Sequence, residues 1–236
     1  MNVKFFGSSL TVLRCGALAL ASLLPLSTHA AGTPVAWGAN DASQSQVPPG
    51  LTNIVAVAGG ASHSLALKGD GTVTAWGFNL SGQATVPSNL SSVAAIAAGS
   101  TYSMALKSNG TVVVWGSQPA APAGLSSVTA IAAGWSHCLA LKSDSTVVAW
   151  GSQTTVPTGL TNVVAIAAGN GQSLALKTDG TVVAWGDSAY GKTTVPTGLS
   201  SVIAIAAGGD HCLALQRNGT IVAWGRNVEG QTTVPS

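Results

Sequence analysis

Six Trp-Gly pairs, at Trp37, Trp76, Trp115, Trp150, Trp185 and Trp224, recur along this chain at intervals of 39, 39, 35, 35 and 39 residues. A pitch of this size marks an array of supersecondary units, each burying its apolar faces against its neighbours. The variation falls at one point, between the Trp-Gly pair and the next proline. Eleven positions separate Trp185 from Pro196, but only seven separate Trp150 from Pro157. A length change confined to one point marks a surface loop.

Each unit carries the same punctuation. A first apolar run (163–168) ends at Gly169, a second spans 173–177, and Thr178-Asp179-Gly180 turns the chain into a third (181–186). A weaker fourth stretch (193–196) closes the unit. Short β-branched runs joined by Asp-Gly or Asn-Gly predict strands and hairpins, and no helical period competes with them. The runs are apolar at nearly every position, so both faces of each sheet must be covered. The predicted fold is all-β, a β-propeller of about five to six four-stranded blades. A half unit at 34–48 precedes full units at about 53–87, 92–122, 127–157, 162–196 and 201–235. Such an array can fill a smaller closed ring, form an open one or be part of a longer series, and an open one leaves blade edges that invite self-association.

The first thirty residues differ in kind. Lys4 and Arg14 precede an uncharged apolar stretch from Gly16 to Leu26, and Ser27-Thr28-His29-Ala30 ends in small residues. This is the layout of a secretory signal peptide at 1–30, with the repeat domain at 31–236. The chain is therefore expected in the periplasm, outside the cell or at its surface. Cys15 follows Arg14 and precedes the apolar stretch, the reverse of the order for lipidation. Beyond residue 31 no apolar run approaches the ~20 residues of a spanning helix.

Removing the leader changes the charge. Seven basic residues (Lys68, Lys107, Lys142, Lys177, Lys192, Arg217, Arg226) then face seven acidic ones (Asp41, Asp70, Asp144, Asp179, Asp187, Asp210, Glu229). Without a cluster of cations to neutralise phosphates, nucleic acid is not an expected partner.

Gly60-Ala61-Ser62-His63-Ser64-Leu65-Ala66-Leu67, followed by Asp70-Gly71 and Trp76-Gly77, resembles the repeat of the regulator of chromosome condensation family. The pattern covers 34–236 and recurs five times. The compact units are similar to a bacterial secreted branch that includes type II β-lactamase inhibitor propellers. The resemblance implies a propeller, usually of seven blades, used for protein binding and in that branch for inhibiting an enzyme. The nuclear branch exchanges guanine nucleotide on a small GTPase. Export and zero net charge argue against carrying that activity over.

The chemistry-bearing residues point away from catalysis. Cys138 and Cys212 occupy the slot held elsewhere by Ser64, Ser103 and Ser173, one blade or more apart, too far for a disulfide. Their neighbours His137 and His211 point to the opposite strand face, so neither pair converges on a metal. Histidine–backbone hydrogen bonds are expected instead at His63, His137 and His211. Gly134-Trp135-Ser136-His137-Cys138 lacks the final glycine and the helix of a nucleophile elbow. No phosphate loop or calcium loop is present, so no enzyme, cofactor or metal is expected. The Trp-Gly tryptophans suit blade-to-blade packing better than sugar stacking.

Strands that alternate in direction put the first-to-second and third-to-fourth loops on one face of the ring. That face varies between units and holds the candidate partner-binding residues Phe78, Asn79, Tyr102, Trp135, Asn170, Tyr190, Asp210, Arg226 and Glu229. The opposite face repeats Lys68, Lys107, Lys142, Lys177 and Arg217 beside its turns. The expected function is a secreted protein-interaction module. A structural or adhesive surface segment and a carbohydrate-binding propeller are the alternatives.

Overall fold

The computed structural model describes residues 2–4, 32–118, 120–152 and 155–235. The apolar stretch of the expected leader, Cys15 and the expected cleavage point lie outside them. Asn2–Lys4 (β1) runs antiparallel to Val35–Trp37 (β2). Five three-stranded antiparallel sheets follow. They are Ile54–Gly59, His63–Lys68 and Val73–Gly77 (β3–β5), then Val93–Ala98, Tyr102–Lys107 and Val112–Gly116 (β6–β8). Next come Val128–Ala133, His137–Lys142 and Val147–Gly151 (β9–β11), and Val163–Ala168, Gln172–Lys177 and Val182–Gly186 (β12–β14). Val202–Ala207, His211–Gln216 and Ile221–Gly225 (β15–β17) complete the series.

The sheets stack as propeller blades do. First strands touch first strands of the next sheet, and each middle strand packs on the first strand that follows it. A one-side-up, one-side-down alternation explains the unbroken apolar runs. Along β10, Cys138 and Ala140 pack back onto the second sheet, while Leu139 and Leu141 pack forward onto the fourth. Small residues face one way and leucines the other, so neighbouring sheets interdigitate. The last described sheet breaks this rule on one side. Cys212 and Ala214 are buried against the fourth sheet, whereas Leu213 and Leu215 are half-buried.

The blades have three strands where four were expected. The fourth stretch is a strap that leaves its own sheet. After the three long connectors that lead into a described sheet, the residue leading it caps the next sheet's tryptophan, whereas among the described residues the indole N–H of Trp150 and Trp185 has no such partner. The Lys192 carbonyl accepts the Trp224 indole N–H (2.9 Å) and the Cys212 thiol (3.3 Å). Gln83 does the same for Trp115 and Ser103, and Gln44 for Trp76 and Ser64. Val195 packs into the core between the fourth and fifth sheets. Pro196 has no N–H to offer a ladder.

On the turn face, Asp70, Asp144 and Asp179 each hold the backbone N–H and hydroxyl of the threonine two residues on. The turn then hands a carbonyl to the next sheet, as in Val93 N–H to Gly71 O at 3.1 Å. Gly71 has φ +80°, and a Cβ there would lie 3.2 Å from Val93 N. Glycine alone meets both demands without strain.

Candidate protein-interaction face

The loops between first and second strands are locked to the connectors that leave the third strands. Phe78, Ser117, Ser152, Asp187 and Arg226 each donate a backbone N–H to a carbonyl of the adjoining loop, at 2.8–3.1 Å. These loops are also tied to one another. Ala61 bonds Gly99, Ser100 bonds Trp135, Trp135 bonds Gly169 and Asn170 bonds Gly209, all through backbone groups at 3.0–3.3 Å. The rim face is thus a belt of backbone hydrogen bonds crossing every sheet boundary from the first to the fifth.

Beneath the belt, one side chain per sheet reaches forward. His63 Nε2 meets Ser103 Oγ at 2.9 Å and His137 Nε2 meets Ser173 Oγ at 3.0 Å. Gln172 donates to the carbonyls of Gly208 and Gly209, both at 3.0 Å. The histidines reach a hydroxyl of the next sheet, because their slot faces forward, and His63 also has a backbone hydrogen bond with Tyr102. His211, in the last described sheet, is half-buried. Burial pushes His63 and His137 down to about 4. No described residue pairs with the Nδ1 of either.

Tyr102 is a correction. Expected on the rim, it is fully buried, and its hydroxyl donates to the carbonyls of Gly134 (3.0 Å) and His137 (2.5 Å). It occupies the forward-reaching slot of the second sheet, which the pattern His63, His137, Gln172, His211 identifies. The five tryptophans of the sheets are buried between blades, 5–9% exposed. Cys138 and Cys212 are free and buried, each thiol raised by burial to about 12.

Trp135 is 54% exposed and Tyr190 62%, and Phe78 is less exposed at 36%. Asn79 is exposed, but its side chain is committed to Ala84 and Thr85 within its own loop. Asn170, Tyr190, Asp210, Arg226 and Glu229 come together around the boundary of the fourth and fifth sheets. Arg226 lies over the Tyr190 ring (5.7 Å) and pairs with Glu229 (2.6 Å). At the centre is Lys192, 1% exposed, whose ammonium meets Asp187 and Asp210 at 2.9 Å each and the Asn170 carbonyl at 2.8 Å. Burial works to lower the Lys192 pKa, but the two carboxylates outweigh it and hold the ammonium above its ordinary value. The bond to Lys192 holds the Asp187 carboxyl below the usual range.

Sequence reasoning missed Asp187 and Lys192 as parts of this cluster. The signal was positional: four residues before the connector proline stand Gln44, Gln83, Gln118, Gln153 and Gln231, and only here a lysine.

The model of the regulator of chromosome condensation (RCC1) repeat matches 54–83, 93–118, 128–154, 163–192 and 202–231. No curated protein matches the chain. Among solved structures, Prp20p of Saccharomyces cerevisiae, studied with its binding properties to Gsp1p and histones, is similar at 24% identity and a TM-score of 0.65. That similarity covers 78% of this chain but 59% of Prp20p. The CRINKLY WD40 ectodomain of the Arabidopsis thaliana receptor kinase ACR4 is 26% identical, with a TM-score of 0.67 over 81% of this chain and 72% of its own. The Physcomitrella patens receptor kinase CR4 ectodomain is also 26% identical, at a TM-score of 0.67, over 78% and 56%. Five matched repeats spanning more than half the chain, on five stacked sheets, place this protein in the regulator of chromosome condensation repeat family.

Proposed function

We propose that the chain is a non-catalytic protein-interaction propeller of the secreted type, with the rim face as its contact surface. The observation that carries this reading is the exposure of Trp135 and Tyr190 on loops whose backbones are already pinned. A large side chain held rigid before binding loses little freedom on contact, which is what an interface anchor requires. The two plant relatives are receptor ectodomains, which supports use of this fold outside the cytoplasm. Inhibition of an enzyme is the form of binding that resemblance to the bacterial secreted propellers suggests.

A partner captured from the culture medium tests the face. Trp135→Ala, and Tyr190→Ala with Arg226→Ala, should each weaken that partner's binding by about 2 kcal/mol, with nearly unchanged melting temperature. Loss of binding in Lys107→Ala with Lys177→Ala, and normal binding by Trp135→Ala, would move the site to the turn face.

An array of five full units and a half unit, unsealed and self-associating, is part of the same proposal. Leu213 and Leu215 are half-buried, where Leu139, Leu141, Leu174 and Leu176 are buried. Exported material should begin near Ala31 by N-terminal sequencing and sediment as more than a monomer. An intact Met1 would refute export, and a monodisperse monomer would refute self-association.

A further inference from the structure

The zero net charge of residues 31–236 conceals a polarity between the two faces. Asp41, Asp187, Asp210 and Glu229 lie on connectors or loops of the rim face, against Lys192 and Arg226. Lys68, Lys107, Lys142, Lys177 and Arg217 lie at the turn face, against Asp70, Asp144 and Asp179. The rim face therefore carries a net −2 and the turn face a net +2.

One of the two surplus charges is Asp41 on the first connector, and the other lies at the boundary of the fourth and fifth sheets. Lys192 is a single ammonium serving two carboxylates, so one negative charge stays uncompensated there. The Asp187 side chain is 45% exposed and that of Asp210 23%. This charge is joined to Trp135 through rigid backbone: Trp135 N–H bonds Gly169 O at 3.0 Å, and Asn170 O, one residue on, accepts Lys192 Nζ at 2.8 Å. Tyr190 stands on the connector between Asp187 and Lys192. The connectors on either side of the third sheet, whose loop bears Trp135, are the two that are four residues short. Exposed aromatic side chains on the same face as a carboxylate pair that shares one ammonium attract cations, through the ring quadrupole, as Arg226 over Tyr190 already shows, and by direct charge. They repel phosphate and anionic lipid.

We infer that the stretch from Trp135 through Asn170 to Asp187, Asp210 and Tyr190 takes a basic, extended segment of a partner protein, with a lysine or arginine against these groups. This rests on the rim-face reading above and adds the chemistry of what the face holds.

The test uses the purified chain and three fluorescein-labelled dodecapeptides, alternating glycine with lysine, glutamine or glutamate, with anisotropy as the readout. The lysine peptide should bind at least tenfold more tightly than the glutamine peptide at low salt, and more weakly as salt rises. Trp135→Ala and Tyr190→Ala should each reduce its affinity at least fivefold, while Lys107→Ala leaves it unchanged. Equal or tighter binding of the glutamine or glutamate peptide, lost in Trp135→Ala, overturns the basic-segment inference but leaves the face standing. Lysine-peptide binding indifferent to Trp135→Ala and Tyr190→Ala overturns both. Binding of neutral maltohexaose that Trp135→Ala abolishes, with no peptide bound, replaces the inference with a sugar site.

Discussion

Lowering the pH from 7.5 to 4.5 should remove about 5 kcal/mol of folding stability, through His63 and His137 alone. Both rings are fully buried, and burial holds each at about 4, against 6.5 for the free side chain. Above 6.5 neither the folded nor the unfolded chain is protonated there, and the contribution is fully present. As the pH falls below 6.5, the unfolded chain takes up protons that the folded one refuses. The loss grows at ~1.4 kcal/mol per pH unit for each histidine until the folded rings titrate near 4. His211 is lowered too, chiefly by burial, and acts in the same direction. Since domains are stable by only about 5–15 kcal/mol, the urea midpoint should collapse across this range. The fourth sheet supplies the control. Gln172 fills the same slot with an amide that does not titrate and bonds the next sheet's glycine carbonyls. The double variant His63→Gln, His137→Gln should therefore lose much less of its urea midpoint between the two pH values, with His211 supplying the remainder. A wild-type midpoint that does not move between pH 7.5 and 4.5 would rule out buried neutral histidines.

Replacing both Asp187 and Asp210 by asparagine should cost about 3 kcal/mol, because it leaves the Lys192 ammonium buried with only amide and carbonyl oxygens around it. For a chain of this size that is a fall in melting temperature on the order of 10 °C. Asp187 is partly exposed, so water takes up some of the loss, which keeps the figure at the lower end of the range for broken buried pairs. Adding Lys192→Gln should restore most of the stability, since glutamine stands at the matching position of the other connectors. The Lys192 backbone carbonyl would still cap Trp224 and Cys212. A triple variant no more stable than the double one would show that the lysine's stem, and not its charge, is what the site needs.

The pitch of the Trp-Gly pairs and the runs of apolar residues made the stacked sheets legible, because burial on both faces leaves no polar alternation. The fourth stretch was misleading. Thr193-Thr194-Val195-Pro196 has strand-like composition, yet it packs Val195 on the next sheet while the preceding Lys192 carbonyl caps that sheet's tryptophan, and a strand pattern and a strap pattern look alike locally. Tyr102 was misjudged for a related reason. It directly follows a polar Ser-Thr loop, and only its alignment with His63 and Gln172 shows that it is the first inward residue of a strand. The exposure of Trp135 could be suspected from its being the one tryptophan outside the regular slot. The salt cluster around Lys192 could not, since its partners come from three separate segments that only the stacking brings together.

The forward-reaching side chains have a consequence for how such a chain can change length over generations. His63, Tyr102, His137 and Gln172 each address the following sheet, and the straps led by Gln44, Gln83 and Lys192 do likewise. Every joint is therefore encoded in the same order, with the reaching group upstream and the receiving group downstream. A duplication or deletion of one whole unit keeps the reaching group upstream and the receiving slot downstream, although losing the second unit would set His63 against Cys138 where Ser103 stood. A cut out of phase pairs a reaching group with nothing that can receive it. Selection can add or drop blades in whole steps, and only in whole steps.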